Sequence, residues 1–105
     1  MRRFVYFIQQ AEDVNGPIKI GTATNLTSRL KSLQCGNPEE LRILAFVASN
    51  EALESLLHGY FRDGHIRGEW FHAYTPGLRE FIRGVRRREL PTWALPYLAT
   101  EEACA

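Results

Sequence analysis

Two short segments near the N-terminus constrain the fold of this chain more than any other feature. Phe4-Val5-Tyr6-Phe7-Ile8 is dense in β-branched and aromatic residues, and Ile18-Lys19-Ile20-Gly21-Thr22 alternates apolar with polar or small residues after the turn signal Asn15-Gly16-Pro17. Together they predict a β-hairpin. Its loop, about Gln10 to Pro17, is longer than a two-residue turn, so turn chemistry does not fix the register.

The segment after Gly21 supplies capping residues and then Leu26, Leu30 and Leu33 at i, i+4, i+7 spacing, which predicts an amphipathic helix over Thr24 to Leu33. Cys35-Gly36-Asn37-Pro38 ends it, because Gly and Asn tolerate a left-handed cap and Pro cannot continue the ladder. The mostly apolar run from Leu41 to Ala48 predicts a third strand. Ser49 or Asn50 then caps a helix through about Phe61, with Leu53, Leu57, Tyr60 and Phe61 on one face. Arg67-Gly68-Glu69-Trp70-Phe71 reads as an aromatic loop or short extended piece. Thr75-Pro76-Gly77 opens a last helix with Leu78, Phe81, Ile82 and Val85 as its apolar side, closed by Glu89-Leu90-Pro91. The expected fold is α/β (α+β): a small three-stranded, mainly antiparallel sheet flanked by helices. Residues 1–90 form the expected domain, and residues 91–105 a tail whose Trp93, Leu95, Tyr97 and Leu98 pack on that domain or on a partner.

Composition narrows the function classes. The 105 residues are 45% hydrophobic and 24% charged, ordinary for one globular domain. No apolar run approaches the roughly 20 residues of a membrane span, and the N-terminus does not read as a signal peptide, so no membrane partner and a cytoplasmic location are expected. Cys35 and Cys104 lack ligand-spaced partners and read as free thiols. Net charge is only +1, but eleven of the thirteen basic residues are arginine. Arg79, Arg83, Arg86, Arg87 and Arg88 crowd one segment, either as a solvated helix face or as a sequence-independent contact to phosphates.

A few polar residues fall at notable places in this order: Tyr6 in the first strand, Lys19 in the second, Arg29 on the first helix and Glu54 on the second. Here the chain resembles the GIY-YIG nucleases. Phe4-Val5-Tyr6 stands where that superfamily has Gly-Ile-Tyr, and Lys19-Ile20-Gly21 where it has Tyr-Ile-Gly. Arg29 matches the family's helix arginine, and Glu54, opening Glu54-Ser55-Leu56-Leu57-His58, matches its metal-binding glutamate. Gly68-Glu69-Trp70-Phe71 is similar to the tail of a small bacterial, phage and fungal branch with a Lys-Ile-Gly second motif. The resemblance covers about Phe4 to Phe71 and implies metal-dependent cleavage of DNA with Mg²⁺ or Mn²⁺.

Phosphodiester hydrolysis asks for such parts: an aligned water, neutralisation of the pentavalent charge and help for the leaving oxygen. Glu54 would hold the ion and Arg29 would grip a non-bridging phosphate oxygen. Tyr6, with Lys19 in place of the second tyrosine, would orient or deprotonate the attacking water. A lysine base requires a pKa brought down from about 10.4 by burial or nearby positive charge. His58 lies one helical turn beyond Glu54 and shares its face, as an auxiliary or as a locally bonded helix histidine. Glu69 is expected in a structural salt bridge with Arg67 or another arginine, Trp70 and Phe71 in the core rather than stacked on bases, His65 and His72 on the surface, and Asn37 and Asn50 as caps. Two rivals remain: a nucleic-acid-binding module of the same fold without catalysis, and an interaction or oligomerisation domain that uses the aromatic tail.

Overall fold

A computed structural model of the chain describes residues 2–50 and 52–98. Strand β1 (Arg3–Gln10) and strand β2 (Ile18–Ala23) form the expected antiparallel hairpin, with Tyr6 opposite Gly21 and Ile8 opposite Lys19. The turn does not set this register. Buried Gln9 does, because its amide donates to the carbonyl of Gly16 at 2.8 Å and so ties the loop to β1.

Helix α1 (Leu26–Gln34) starts on Asn25, whose side chain accepts from the Ser28 amide. Strand β3 (Leu41–Ser49) returns antiparallel to the other side of β1. Helix α2 (Ala52–Tyr60) follows the Asn50 side chain, which accepts from the Ala52 amide. Helix α3 (Leu78–Arg87) begins after Gly77, whose φ of 85° is the left-handed geometry that glycine adopts without penalty.

The sheet has five strands rather than three. Strand β4 (His65–Arg67) and strand β5 (Trp70–Phe71) extend it in the order β3-β1-β2-β5-β4, every pairing antiparallel. Strands of three and two residues are too short to show a period of two; the sequence offered Arg67 to Phe71 as an aromatic loop or a short extended piece, and β5 is the latter.

Alternation along β1 and β2 separates two cores. Val5, Phe7, Ile18 and Ile20 face α2 and α3, meeting Leu53, Leu57, Phe61, Leu78, Phe81, Ile82 and Val85. Tyr6, Ile8 and Ala23 face α1, where Leu26, Leu30 and Leu33 cover them. Of the two placements open to the aromatic tail, the structure shows packing on the domain as far as Leu98. Thr92–Tyr97 is a 3₁₀ turn, Trp93 stacks on Phe81 and Tyr60, Ala94 is fully buried, and Leu98 bridges to Ser49. Cys104 lies outside the described residues, and Cys35 is an exposed free thiol. Among the described residues no helix is long and apolar enough to cross a membrane.

Candidate metal and phosphate site

The site forms where β2 leaves its neighbour. Only Ile18 and Lys19 pair with β5, so beyond Ile20 one edge of β2 is open and side chains from both faces of the sheet can meet across it. Tyr6, Lys19 and Gly21 arrive from the α1 face. Glu54 and His58 arrive from α2, which is anchored on the opposite face by buried Leu53 and Leu57. Glu69, just before β5, is held at the edge because its carbonyl accepts from the Ile20 amide at 2.9 Å.

Glu54, His58 and Glu69 each offer one ligand atom, and these atoms all lie within 4.8 Å of one another. Glu54 Oε2 is sealed from solvent and, among the described residues, has no hydrogen-bond partner. A buried carboxylate oxygen left in that state costs free energy unless a proton or a cation reaches it. The Glu54 carboxyl is accordingly pushed above its usual range, first by burial and then by the facing Glu69 carboxyl, with His58 and Arg3 partly offsetting the shift. His58 Nε2–H donates to the Ile20 carbonyl at 2.9 Å. That bond places a proton on Nε2, so Nδ1 is the ring nitrogen left to face an ion. Two carboxylates and one imidazole make a donor set for a divalent ion, and the orphaned Glu54 oxygen shows that the residues fit one.

The other expected residues divide into those that reach this cluster and those that do not. Burial first, and then the Glu69 carboxylate, push the Tyr6 hydroxyl up to about 12, while Arg29 pulls the other way. Tyr6 is therefore a neutral phenol at neutral pH, able to donate one hydrogen bond. Lys19 Nζ lies 3.2 Å from Glu69 Oε1 and 5.4 Å from the centre of the Trp70 ring. Arg29 lines a polar cleft of about 440 Å³ with Arg3, Thr22, Asn25, Ser28 and Ser32. The Arg3 guanidinium is steadied there by donating to the Thr22 hydroxyl at 3.1 Å.

The arginines of α3 lie on the opposite face of the sheet from Tyr6, Lys19 and Arg29. Arg79 spends its guanidinium on the carbonyls of Ala73 and Val14, and Arg86 donates to the carbonyl of Leu44. Arg83 and Arg87 are exposed.

Sequence reasoning missed two participants and misjudged a third. Glu69 pairs with a lysine rather than an arginine and stands in the group of side chains that could hold a metal ion. Its signal was present only as membership of a motif, since nothing local marks the β5 edge. Arg3 carried no expectation from the sequence, and β1 parity takes it to the α2 side of the open edge. Trp70 is half-buried beside Lys19, whereas Phe71 is fully in the core as expected. His65 donates to the Gly68 carbonyl and His72 stacks on Tyr74, away from the ligand set.

With this geometry in hand, the sequence profile of the T5orf172 domain matches residues 3–87. No curated protein and no solved structure matches the chain.

Proposed function

The chain belongs to the T5orf172 domain family, a nuclease-like group, and from that premise we propose that it is a metal-dependent DNA endonuclease of the GIY-YIG type. The observation that carries this reading is the buried, unpartnered Glu54 oxygen facing Glu69 and His58 at the sheet edge, with Tyr6, Lys19 and Arg29 around it.

Glu54, Glu69 and Nδ1 of His58 would hold Mg²⁺ or Mn²⁺. When bound, the ion supplies Lewis-acid stabilisation of phosphoryl oxygens and lowers the pKa of a coordinated water. The protein residues do the rest. Arg29 neutralises charge on a non-bridging oxygen of the scissile phosphate, and Arg3 holds the next part of the backbone in the same cleft. Tyr6 keeps its proton and uses it to orient the water or to steady the departing oxygen. The Lys19 side chain bridges the Glu69 carboxylate and the substrate side of the site, where it positions the nucleophile. Arg83 and Arg87 would touch DNA backbone remote from the cut, with Arg79 and Arg86, already bonded to backbone carbonyls, adding only their positive charge, and that share of affinity falls as salt rises. The protein acts at the phosphodiester itself, so little sequence preference is expected.

The direct test is incubation of the purified protein with supercoiled plasmid and single-stranded DNA at low salt, with Mg²⁺, Mn²⁺ or EDTA. Nicking that EDTA abolishes supports the endonuclease. Binding with no cutting under any metal replaces it with the catalytically silent binding module.

His58→Ala separates a ligand from a structural helix residue. It is expected to weaken Mn²⁺ binding about 10- to 100-fold in calorimetry while the helical content of the protein is unchanged. An unaltered Mn²⁺ affinity would return His58 to a purely local role.

A further inference from the structure

Trp70 occupies a place that the core of the protein does not explain. On β5 it is directly opposite Lys19 of β2 and Arg67 of β4, so the indole stands on the same face as two cationic side chains. Its neighbour Phe71 points the other way and is fully buried, as strand alternation requires. Beyond the indole is an open pocket of about 220 Å³, lined by Trp70, Ile66, Arg67, Pro17, Gln10 and Asn37. Ile66 is 41% exposed there, an aliphatic side chain on a three-residue edge strand with no core to serve.

Resting on the endonuclease reading, we propose that this pocket is a nucleobase subsite: one unpaired base beside the scissile phosphate stacks on Trp70 between Lys19 and Arg67. Three features favour a base over other occupants. The flat indole and the aliphatic wall suit a ring system, and the pocket is smaller than the roughly 300–1,000 Å³ of sites for drug-sized ligands, so it takes a single base rather than a pair. The flanking cations match the phosphates on either side of a nucleotide and give no attraction to an uncharged apolar partner. Lys19 joins the pocket directly to the ligand set, since its ammonium group contacts both the Trp70 ring and Glu69.

β2 therefore carries a track along the sheet edge: the Trp70 pocket at Lys19, the metal ligands beside Gly21, and the Arg3–Arg29 cleft at Thr22. The three steps of strand from Lys19 to Thr22 rise about 10 Å, short enough for neighbouring nucleotides of one strand to reach all three features. A base inside a duplex is already stacked and paired, and must be extruded, losing both, before it can enter such a pocket. The substrate class that follows is DNA with an unpaired nucleotide at the cut: a single strand, a flap or a bulge.

The test reads stacking directly and does not depend on cutting. Trp93→Phe leaves Trp70 as the one tryptophan, and its fluorescence is followed while a short single-stranded oligonucleotide, or the blunt duplex of the same sequence, is added in EDTA. Single strands are expected to quench the emission and duplex to leave it nearly unchanged. In the same protein, an oligonucleotide made wholly of abasic sites should bind through its phosphates without quenching, a result that no folding defect can imitate. Trp70→Ala is expected to weaken single-strand binding about 10- to 100-fold by anisotropy, with duplex affinity unchanged and Trp70→Phe largely restoring it. Equal binding of both DNAs without quenching would overturn the subsite and leave the endonuclease reading in place. Failure to bind any DNA would overturn both.

Discussion

Glu54→Gln is expected to reduce metal-dependent cleavage about a thousandfold or more, and at the same time to raise the melting temperature of the metal-free protein at neutral pH. The first effect follows from losing an ionised ligand at a centre where metal charge is worth several kcal/mol to the transition state. The second follows from the buried oxygen. Burial and the Glu69 carboxyl raise the folded-state pKa of Glu54 above its ordinary value. A raised pKa means that the folded protein holds the proton more tightly than the unfolded chain does. This contribution to stability is fully present below the ordinary carboxylate range and is lost as pH rises through the folded-state pKa. The melting-temperature advantage of the glutamine variant should therefore grow as pH rises from the ordinary carboxylate range through the raised folded-state pKa. Mn²⁺ should reverse the order, because only the wild type has the deprotonated carboxylate that the ion stabilises, and wild-type affinity for the ion should fall as pH is lowered. Melting curves over pH with and without Mn²⁺, beside plasmid nicking, check all of this. A variant that gains as much from Mn²⁺ as the wild type, or cuts at the wild-type rate, would remove Glu54 from the metal site.

Gly21→Ala is expected to lower cleavage about a hundredfold or more although the residue has no functional group. Gly21 faces Tyr6 across the hairpin, and an added Cβ would meet the Tyr6 hydroxyl, lie 2.5 Å from its Cζ and 2.9 Å from Glu69 Oε1. All three atoms cannot stay in place. The tyrosine is fully buried under α1, so the Glu69 side chain and the sheet edge have to move, and a displacement of about 1 Å in a catalytic group can cost about 10²-fold in rate. The overpacking itself costs about 1–3 kcal/mol. Gly59→Ala is the control. It lies in α2 with nothing within 4 Å of its added Cβ, so it should leave cleavage intact and stabilise the helix by about 0.5–1 kcal/mol. Thermal melts establish that Gly21→Ala folds, and Mn²⁺ titration together with nicking reads the site. Wild-type cleavage by that variant would mean that Tyr6 and Glu69 need not hold the positions found here.

Both variants probe groups whose identity was legible to different degrees. Tyr6, Lys19, Arg29 and Glu54 stood out because each occupies a fixed place in the strand, strand, helix, strand, helix order, and their spacing resembles that of a nuclease superfamily. His58 could be seen one turn beyond Glu54, but its tautomer could not, since the Ile20 carbonyl that sets it is distant in sequence. The α3 arginines were conspicuous as a run of charge. Their placement on the far face of the sheet, with Arg79 and Arg86 bonded to backbone carbonyls, has no signature in a charge count.

The sequence alone determined what local physics controls. β-Branched and aromatic residues with an alternating second segment specify the hairpin, a mostly apolar run specifies the third strand, and i, i+4, i+7 leucines specify α1. Asparagine caps mark where helices begin, and glycine and proline mark where elements stop. The tertiary structure decided everything that depends on which edges and faces meet. Two strands too short to show periodicity completed the sheet, and their arrival along only part of β2 left an open edge. Across that edge Glu69 and Arg3 from one-dimensional obscurity joined Glu54, His58, Tyr6 and Lys19. A carboxylate becomes a candidate metal ligand only when its neighbours remove its water and face it with another, and no window of sequence contains those neighbours.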